Sequence, residues 1–258
     1  MMHGQLSNCR VRRRCIGIWL LALALSGVPM LSAGSDWGQA APWLEPWLAG
    51  RAPQPAGLTM AAPAWVEDGA FVPIDISLQG ATAPVSLRLL RSAEDEPRIA
   101  DIQLNSWAEP LRLSTRVRLS RTQKLLLLAR DANGKLWLAA QAVEVLGSSC
   151  LDPQPRAEPR NTGQIQGWLA GEAELELRTL LQHPMQTGLR PDQDGGLIPR
   201  HLPQSFTLST AKAVLMQVEP FDGLSVNPYW RLLLPLAQRP LRLHWVDGDG
   251  REYRLELP

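Results

Sequence analysis

The chain has 258 residues, enough for one or two domains that each bury a core of their own. Lys+Arg number 26 against 25 Asp+Glu, a balance that excludes the basic footprint of a nucleic-acid binder.

The first element is a targeting signal. Arg10, Arg12, Arg13 and Arg14 precede an apolar run from Ile16 to Leu25, which Ser26, Gly27 and Pro29 break ahead of small residues at Ala33 and Gly34. That pattern predicts a signal peptide over 1–34. Its apolar part is shorter than the ~20 residues a membrane-spanning helix needs, so cleavage is expected and not anchoring. The paired arginines leave the Sec and twin-arginine routes both open. Cleavage between Ala33 and Ala40 leaves 22 Lys+Arg against 24 or 25 Asp+Glu. It also removes Cys9 and Cys15, so Cys150 becomes the lone thiol of an exported protein.

Residues 35–65 are rich in Trp and Pro. A short helix is predicted near Pro42 to Ala49, and Trp37, Trp43, Trp47 and Trp65 are expected to cap the first core. From residue 66 the period becomes two. Val72, Ile74, Ile76 and Leu78 alternate with other residues, as do Val85, Leu87 and Leu89, and then Leu111, Leu113, Val117 and Leu119 with a shift. Lys124 to Ala129 and Leu136 to Val145 flank the hairpin signal Asp131-Ala132-Asn133-Gly134. A first sandwich is therefore placed at 66–147, and a Pro-rich linker carrying Cys150 at 148–163. A second strand-rich block fills 164–258 and ends on the turn Asp247-Gly248-Asp249-Gly250. Asp131, Asn133, Gly134, Lys135 and Trp137 share their spacing with Asp247, Asp249, Gly250, Arg251 and Tyr253. The expected fold is all-β: two immunoglobulin-like β-sandwich domains in tandem, after the signal and a short helical segment.

Candidate chemistry is sparse. Loops at Asp131, Asp192 and Asp247 lack the acid an EF-hand needs at its twelfth position, where Ala142, Pro203 and Pro258 stand, so they read as turns. His183, His201 and His244 have no partner at zinc-ligand spacing and are assigned structural hydrogen bonds. No G-x-S-x-G elbow is present, and no catalytic residue, metal or cofactor is expected. Cys150 stands in a polar stretch after Gly147, Ser148 and Ser149, a candidate flexible arm. Nothing beside it lowers a thiol pKa of about 8.5, so activation would fall to a partner. The residues alone leave a carrier thiol and an incidental cysteine both open.

Beyond these patterns, the segment QHPMQTGLRPDQDGGLIPRHLP from Gln182, then Ser225-Val226-Asn227-Pro228-Tyr229, then HWVDGDG from His244, resembles the sulfur-oxidation protein SoxZ. Ala62-Pro63, Glu67-Asp68-Gly69-Ala70, Val72-Pro73-Ile74, Ser114-Thr115-Arg116-Val117-Arg118, Gly147 and Cys150 resemble SoxY. The order is similar to fused SoxYZ-like carriers associated with quinoprotein dehydrogenases. The resemblance implies a periplasmic carrier without catalysis of its own, Cys150 bearing a sulfur adduct for partner enzymes. Those partners would be sulfur-oxidising enzymes or a quinoprotein dehydrogenase, with no nucleic acid and no membrane. It also implies docking of the second domain on the first, expected through apolar sheet faces. SoxY carries its cysteine between glycine pairs at a free C-terminus, whereas Ser148, Ser149, Leu151 and Asp152 flank Cys150 here, so the thiol must enter a partner as a loop.

Overall fold

The computed structural model describes residues 37–147, 162–192, 194–236 and 238–258. The signal segment lies outside them. Among the described residues, no helix is long and apolar enough to cross a membrane.

The chain enters through a single 3-10 turn and the helix α1 (Ala41–Leu48). Pro42 occupies its first turn, where a missing N–H costs nothing. The helix stops at Ala49, left-handed at φ 46°, whose N–H bonds the Glu45 carbonyl at 2.8 Å. Eight strands follow: β1 (Leu58–Ala61), β2 (Trp65–Asp68), β3 (Val72–Leu78), β4 (Val85–Arg91), β5 (Arg98–Leu104), β6 (Leu111–Val117), β7 (Gln123–Asp131) and β8 (Leu136–Gly147). After the linker come β9 (Ile165–Ala170), β10 (Leu175–Leu181), β11 (Pro203–Ser209), β12 (Val214–Pro220), β13 (Tyr229–Leu234), β14 (Leu241–Asp247) and β15 (Glu252–Leu257).

Period-two patterning becomes geometry in β3, where Val72, Ile74, Ile76 and Leu78 are buried and the residues between them are not. β7 departs from it. Leu125, Leu127 and Ala129 face the main core, while Leu126 and Leu128 on the opposite face are also buried, with Leu90, beneath Ala40 and Leu44. The helix segment is the cover for that second face. Trp37, Trp43 and Trp47 complete this separate cluster on the outside of the sheet, and cap it instead of the main core. Arg98 stacks 4.2 Å from the Trp43 ring, and Arg88 and Arg130 each lie 4.9 Å from Trp47. Such contacts add about 0.5–1 kcal/mol each at a solvent-facing site. Trp65 belongs to neither core cluster and is 57% exposed on β2.

The strands form two sheets. One runs β1-β3-β6-β13-β10-β9 and the other β15-β14-β11-β12-β5-β4-β7-β8-β2. Both sheets cross from the first half of the chain into the second. β6 pairs with β13 (Leu113↔Leu232 to Thr115↔Trp230), and β5 pairs with β12 (Ala100↔Pro220 to Leu104↔Met216). The halves therefore meet strand edge to strand edge, where apolar face-to-face docking had been expected. Edge pairing satisfies backbone groups that each half would otherwise leave open. One continuous core runs between the sheets, from Ile74 and Leu113 to Phe206, Trp230 and Trp245.

Candidate functional site

β8 delivers the chain to the predicted arm. Its last residue, Gly147, pairs with Asp68 in the parallel β2–β8 ladder. A Cβ at that position would lie 2.7 Å from the Glu67 carbonyl oxygen. Gly147 is thus a strand end pressed against a neighbouring backbone. Ser148, Ser149 and Cys150 lie outside the described residues.

The chain returns at Thr162 and Gly163. Gly163 has φ +89°, its N–H bonds the Gln182 carbonyl at 2.8 Å, and a Cβ there would come within 2.1 Å of the Tyr253 ring. Only glycine meets both conditions. Tyr253 leads to the most concentrated chemistry among the described residues.

Three segments converge there. His183 follows β10, His201 precedes β11, and Asp247 ends β14. Phe206 and Trp245, stacked at 4.6 Å in the core, tie β11 to β14 and hold that end in place. Asp247 Oδ2 lies 2.8 Å from His201 Nε2, 3.3 Å from His183 Nε2 and 3.1 Å from the Tyr253 hydroxyl. Its Oδ1 accepts the Gly248 N–H at 2.8 Å. The side chains of His183 and Asp247 are wholly buried, and that of His201 is 27% exposed. His183 is clamped on every polar atom. Its N–H bonds Asn227 Oδ1, its carbonyl accepts the Asn227 N–H, and its Nδ1 accepts the Met185 N–H at 3.1 Å. Met185 and Asn227 adopt left-handed φ of 50° and 54°, conformations that cost free energy unless surrounding contacts fix them.

The bonding pattern fixes the protons. Burial works against the Asp247 charge, yet His183, the Gly248 N–H and His201 together hold its carboxyl below the ordinary range. An ionised carboxylate only accepts, so both Nε2 atoms facing it carry hydrogen. His183 Nδ1 accepts from a backbone N–H, so this ring is neutral, and burial pushes its pKa down to about 4 against a partial pull from Asp247. Burial and the bond to Asp247 raise the Tyr253 phenol.

Two histidines and a carboxylate with ligand atoms within 4.8 Å of one another also form a candidate metal set. The donor set does not fit. A ligating imidazole offers a lone pair at one nitrogen and an N–H at the other. At His183 the Met185 N–H occupies the Nδ1 lone pair, and Nε2 is committed as a donor. The cluster is a hydrogen-bond network centred on a buried carboxylate.

His201 also faces outward. With Gln186 it forms a two-way antiparallel bridge, N–H to carbonyl at 2.9 and 2.8 Å, which sets the two side chains next to each other. Both line a cleft of about 680 Å³ with Arg200, Arg251 and Asp249 at its rim. Arg200 is bonded to Asp222, and Arg251 to Asp249 at 3.2 Å. His244 stands apart, 3.0 Å from Glu252.

No local spacing announces this network, since His183 and His201 lie 64 and 46 residues from Asp247. One sign was present. Asp131 and Asp247 begin turns with the same backbone bonds, to Lys135 and Gly134 in one and to Arg251 and Gly250 in the other. Asp131 spends its carboxylate on backbone N–H groups, those of Asn133 and Lys135 at Oδ1 and that of Thr82 at Oδ2. In the second turn Asp249 bonds the Arg251 N–H, which frees Asp247 for the histidines.

Comparison with known proteins gives two family matches. Residues 46–150 match SoxY, sulfur oxidation protein SoxY, and residues 169–257 match SoxZ, sulphur oxidation protein SoxZ. No curated protein matches the chain. Among solved structures, the sulfur carrier protein SoxY from Chlorobium limicola f thiosulfatophilum is 24% identical, with 41% of this chain and 94% of that chain covered and a TM-score of 0.34. The chain therefore belongs to the SoxY and SoxZ sulfur-oxidation protein families as a fusion, a SoxY segment followed by a SoxZ segment in one polypeptide.

Proposed function

We propose that this protein is a periplasmic carrier that bears a sulfur adduct on Cys150 and presents it to partner enzymes, without catalysis of its own. What supports the reading is that the SoxY match ends at residue 150, on the one cysteine that follows the predicted signal. β8 ends three residues before Cys150, and three residues span at most about 10 Å at ~3.4 Å per residue. On this reading the SoxY-like domain spans 66–147 and the SoxZ-like domain 164–258, the two docking within one chain. Fusion keeps the two at an effective concentration in roughly the millimolar range. The partners are sulfur-oxidising enzymes of the periplasm or, for a fused carrier of this type, a quinoprotein dehydrogenase.

Intact mass of protein purified from the periplasm tests the reading. Adducts of one or more sulfur atoms, absent in Cys150→Ser, are the expected result. A bare thiol, with full physiological activity in Cys150→Ser, would sink it and leave an accessory module for the dehydrogenase in which the cysteine is incidental.

A further inference from the structure

We propose that the end of the molecule where β8 finishes is a docking surface for the enzyme that acts on Cys150, built from an apolar ring that both halves of the chain supply. This rests on the carrier role proposed above and adds the surface that a partner recognises.

Eight large apolar side chains are exposed among the described residues, and five of them gather at this end: Trp65 (57%), Phe71 (40%), Leu146 (60%), Leu189 (77%) and Leu197 (62%). The other three are dispersed, Trp168 on β9 and Val214 and Leu236 at the far ends of β12 and β13. Scattered exposed apolar residues are ordinary, whereas a gathered set marks an interaction surface.

Backbone bonds tie the five to one place. Trp65 pairs with Glu144 and Asp68 with Gly147 in the β2–β8 ladder, so Leu146 stands at the strand end beside β2. One residue past Asp68, the Gly69 carbonyl accepts the Leu119 N–H at 2.8 Å, and Phe71 closes the turn into β3. The loop that follows β6 then reaches in two directions. Its Thr122 hydroxyl accepts the Val145 N–H at 3.0 Å, next to the strand end. Its Arg118 and Arg121 line a cleft of about 300 Å³ that Thr187, Leu189 and Arg190 of the second half also line. Arg118 donates to the Asp222 carbonyl at 2.8 Å across the same junction. Leu189 and Leu197 belong to a hairpin closed by the Gln186↔His201 bridge at its base and the Pro191↔Leu197 bridge nearer its tip. Through that hairpin the second half extends to the strand end of the first.

The reach of Cys150 says what covers this ring. Gly147 is fixed against Asp68 and the Glu67 carbonyl, and three residues beyond it span at most about 10 Å. A catalytic group that meets the thiol must come within that distance of the strand end. A globular enzyme is several times wider, so its surface has to rest on the residues around Gly147. The occupant is therefore an enzyme whose active-site mouth is bordered by apolar side chains. Releasing water from the tryptophan and leucines drives such a contact, and Trp is a favoured anchor at protein interfaces.

The test uses the chain purified from the periplasm, with Cys150 loaded by tetrathionate. The thiolate attacks a central sulfur, the S–S bond breaks, and thiosulfate leaves with its electron pair, so Cys150 is left disulfide-bonded to a thiosulfate unit. Removal of that unit is followed by intact mass in dialysed periplasmic extract of the producing cells and, separately, in dithiothreitol. Trp65→Glu, Leu189→Glu and Leu197→Glu should each slow removal by the extract about tenfold or more, as loss of an anchor residue does. Trp168→Glu and Leu236→Glu, exposed elsewhere, should match the native rate, and dithiothreitol should act on every variant alike. All five positions face solvent, and equal melting temperatures verify that the fold is kept. Ring variants as fast as native in the extract, or control variants slowed equally, would overturn the proposal and leave the carrier role standing. A changed dithiothreitol rate in the ring variants would give the surface to the chain's own 148–161 segment, and a native dimer that those variants break would give it to a second copy; either result overturns the proposal. A native adduct that the extract leaves untouched would sink the carrier role and this proposal together.

Discussion

Asp247 is a carboxylate with no solvent access, kept ionised by four donors, and each of its partners is itself held in place. Burying a charge is tolerated only under such conditions. The consequence for stability can be signed through His183. Its folded pKa of about 4 lies below the value of ~6.5 expected in the unfolded chain, so the unfolded state binds more protons between the two. Stability from this group is complete above pH ~6.5 and is lost as the pH falls toward 4, a change on the order of 3 kcal/mol. Asp247 acts in the same direction, below the ordinary carboxylate range. Denaturant midpoints measured across that interval should fall steeply in the native protein and much less in His183→Gln. Single residues were also where sequence reading reached least far. His183 was correctly assigned to structural bonding, but its partners were invisible, because a buried carboxylate and two distant histidines carry no shared spacing. Gly147 illustrates a related ambiguity: glycine signals freedom in a sequence, whereas the structure also puts it where the Glu67 carbonyl approaches closely.

At the scale of elements, legibility followed side-chain periodicity. β3 and the two Asp-Gly type turns were readable because alternation and turn chemistry are written in local residues. The helix was readable too, from Pro42 and its tryptophans, to within one residue. Its place was not. β7 reads as a run of leucines, which announces burial on both faces without saying what supplies the second cover. That cover is α1, and Leu44 is its sole fully buried side chain among the helix's own residues. Leu44→Ala should weaken docking of the helix by about 2–3 kcal/mol, the usual cost of a leucine truncated in a packed site. The effect should show as faster amide exchange through residues 38–48 and altered tryptophan fluorescence. Protection of the β4 and β7 backbones, held by their own ladder, should persist.

For the whole molecule, the joining of the halves was the feature least available in advance. Backbone edges carry no side-chain signature, so β5 and β12 cannot be matched by pattern, nor can β6 and β13. The result is a single core and two shared sheets. The protein should accordingly unfold in one calorimetric transition, with van't Hoff and calorimetric enthalpies equal. Residues 36–150 and 162–258 produced as separate chains should assemble one to one. Two resolved transitions, or halves that stay apart, would contradict the shared-sheet architecture. The occupied edges have a further effect in a cell that also makes free-standing SoxY or SoxZ proteins. A strand already flanked on both sides offers no vacancy, so the fusion is closed to subunit exchange. It is insulated from that pool.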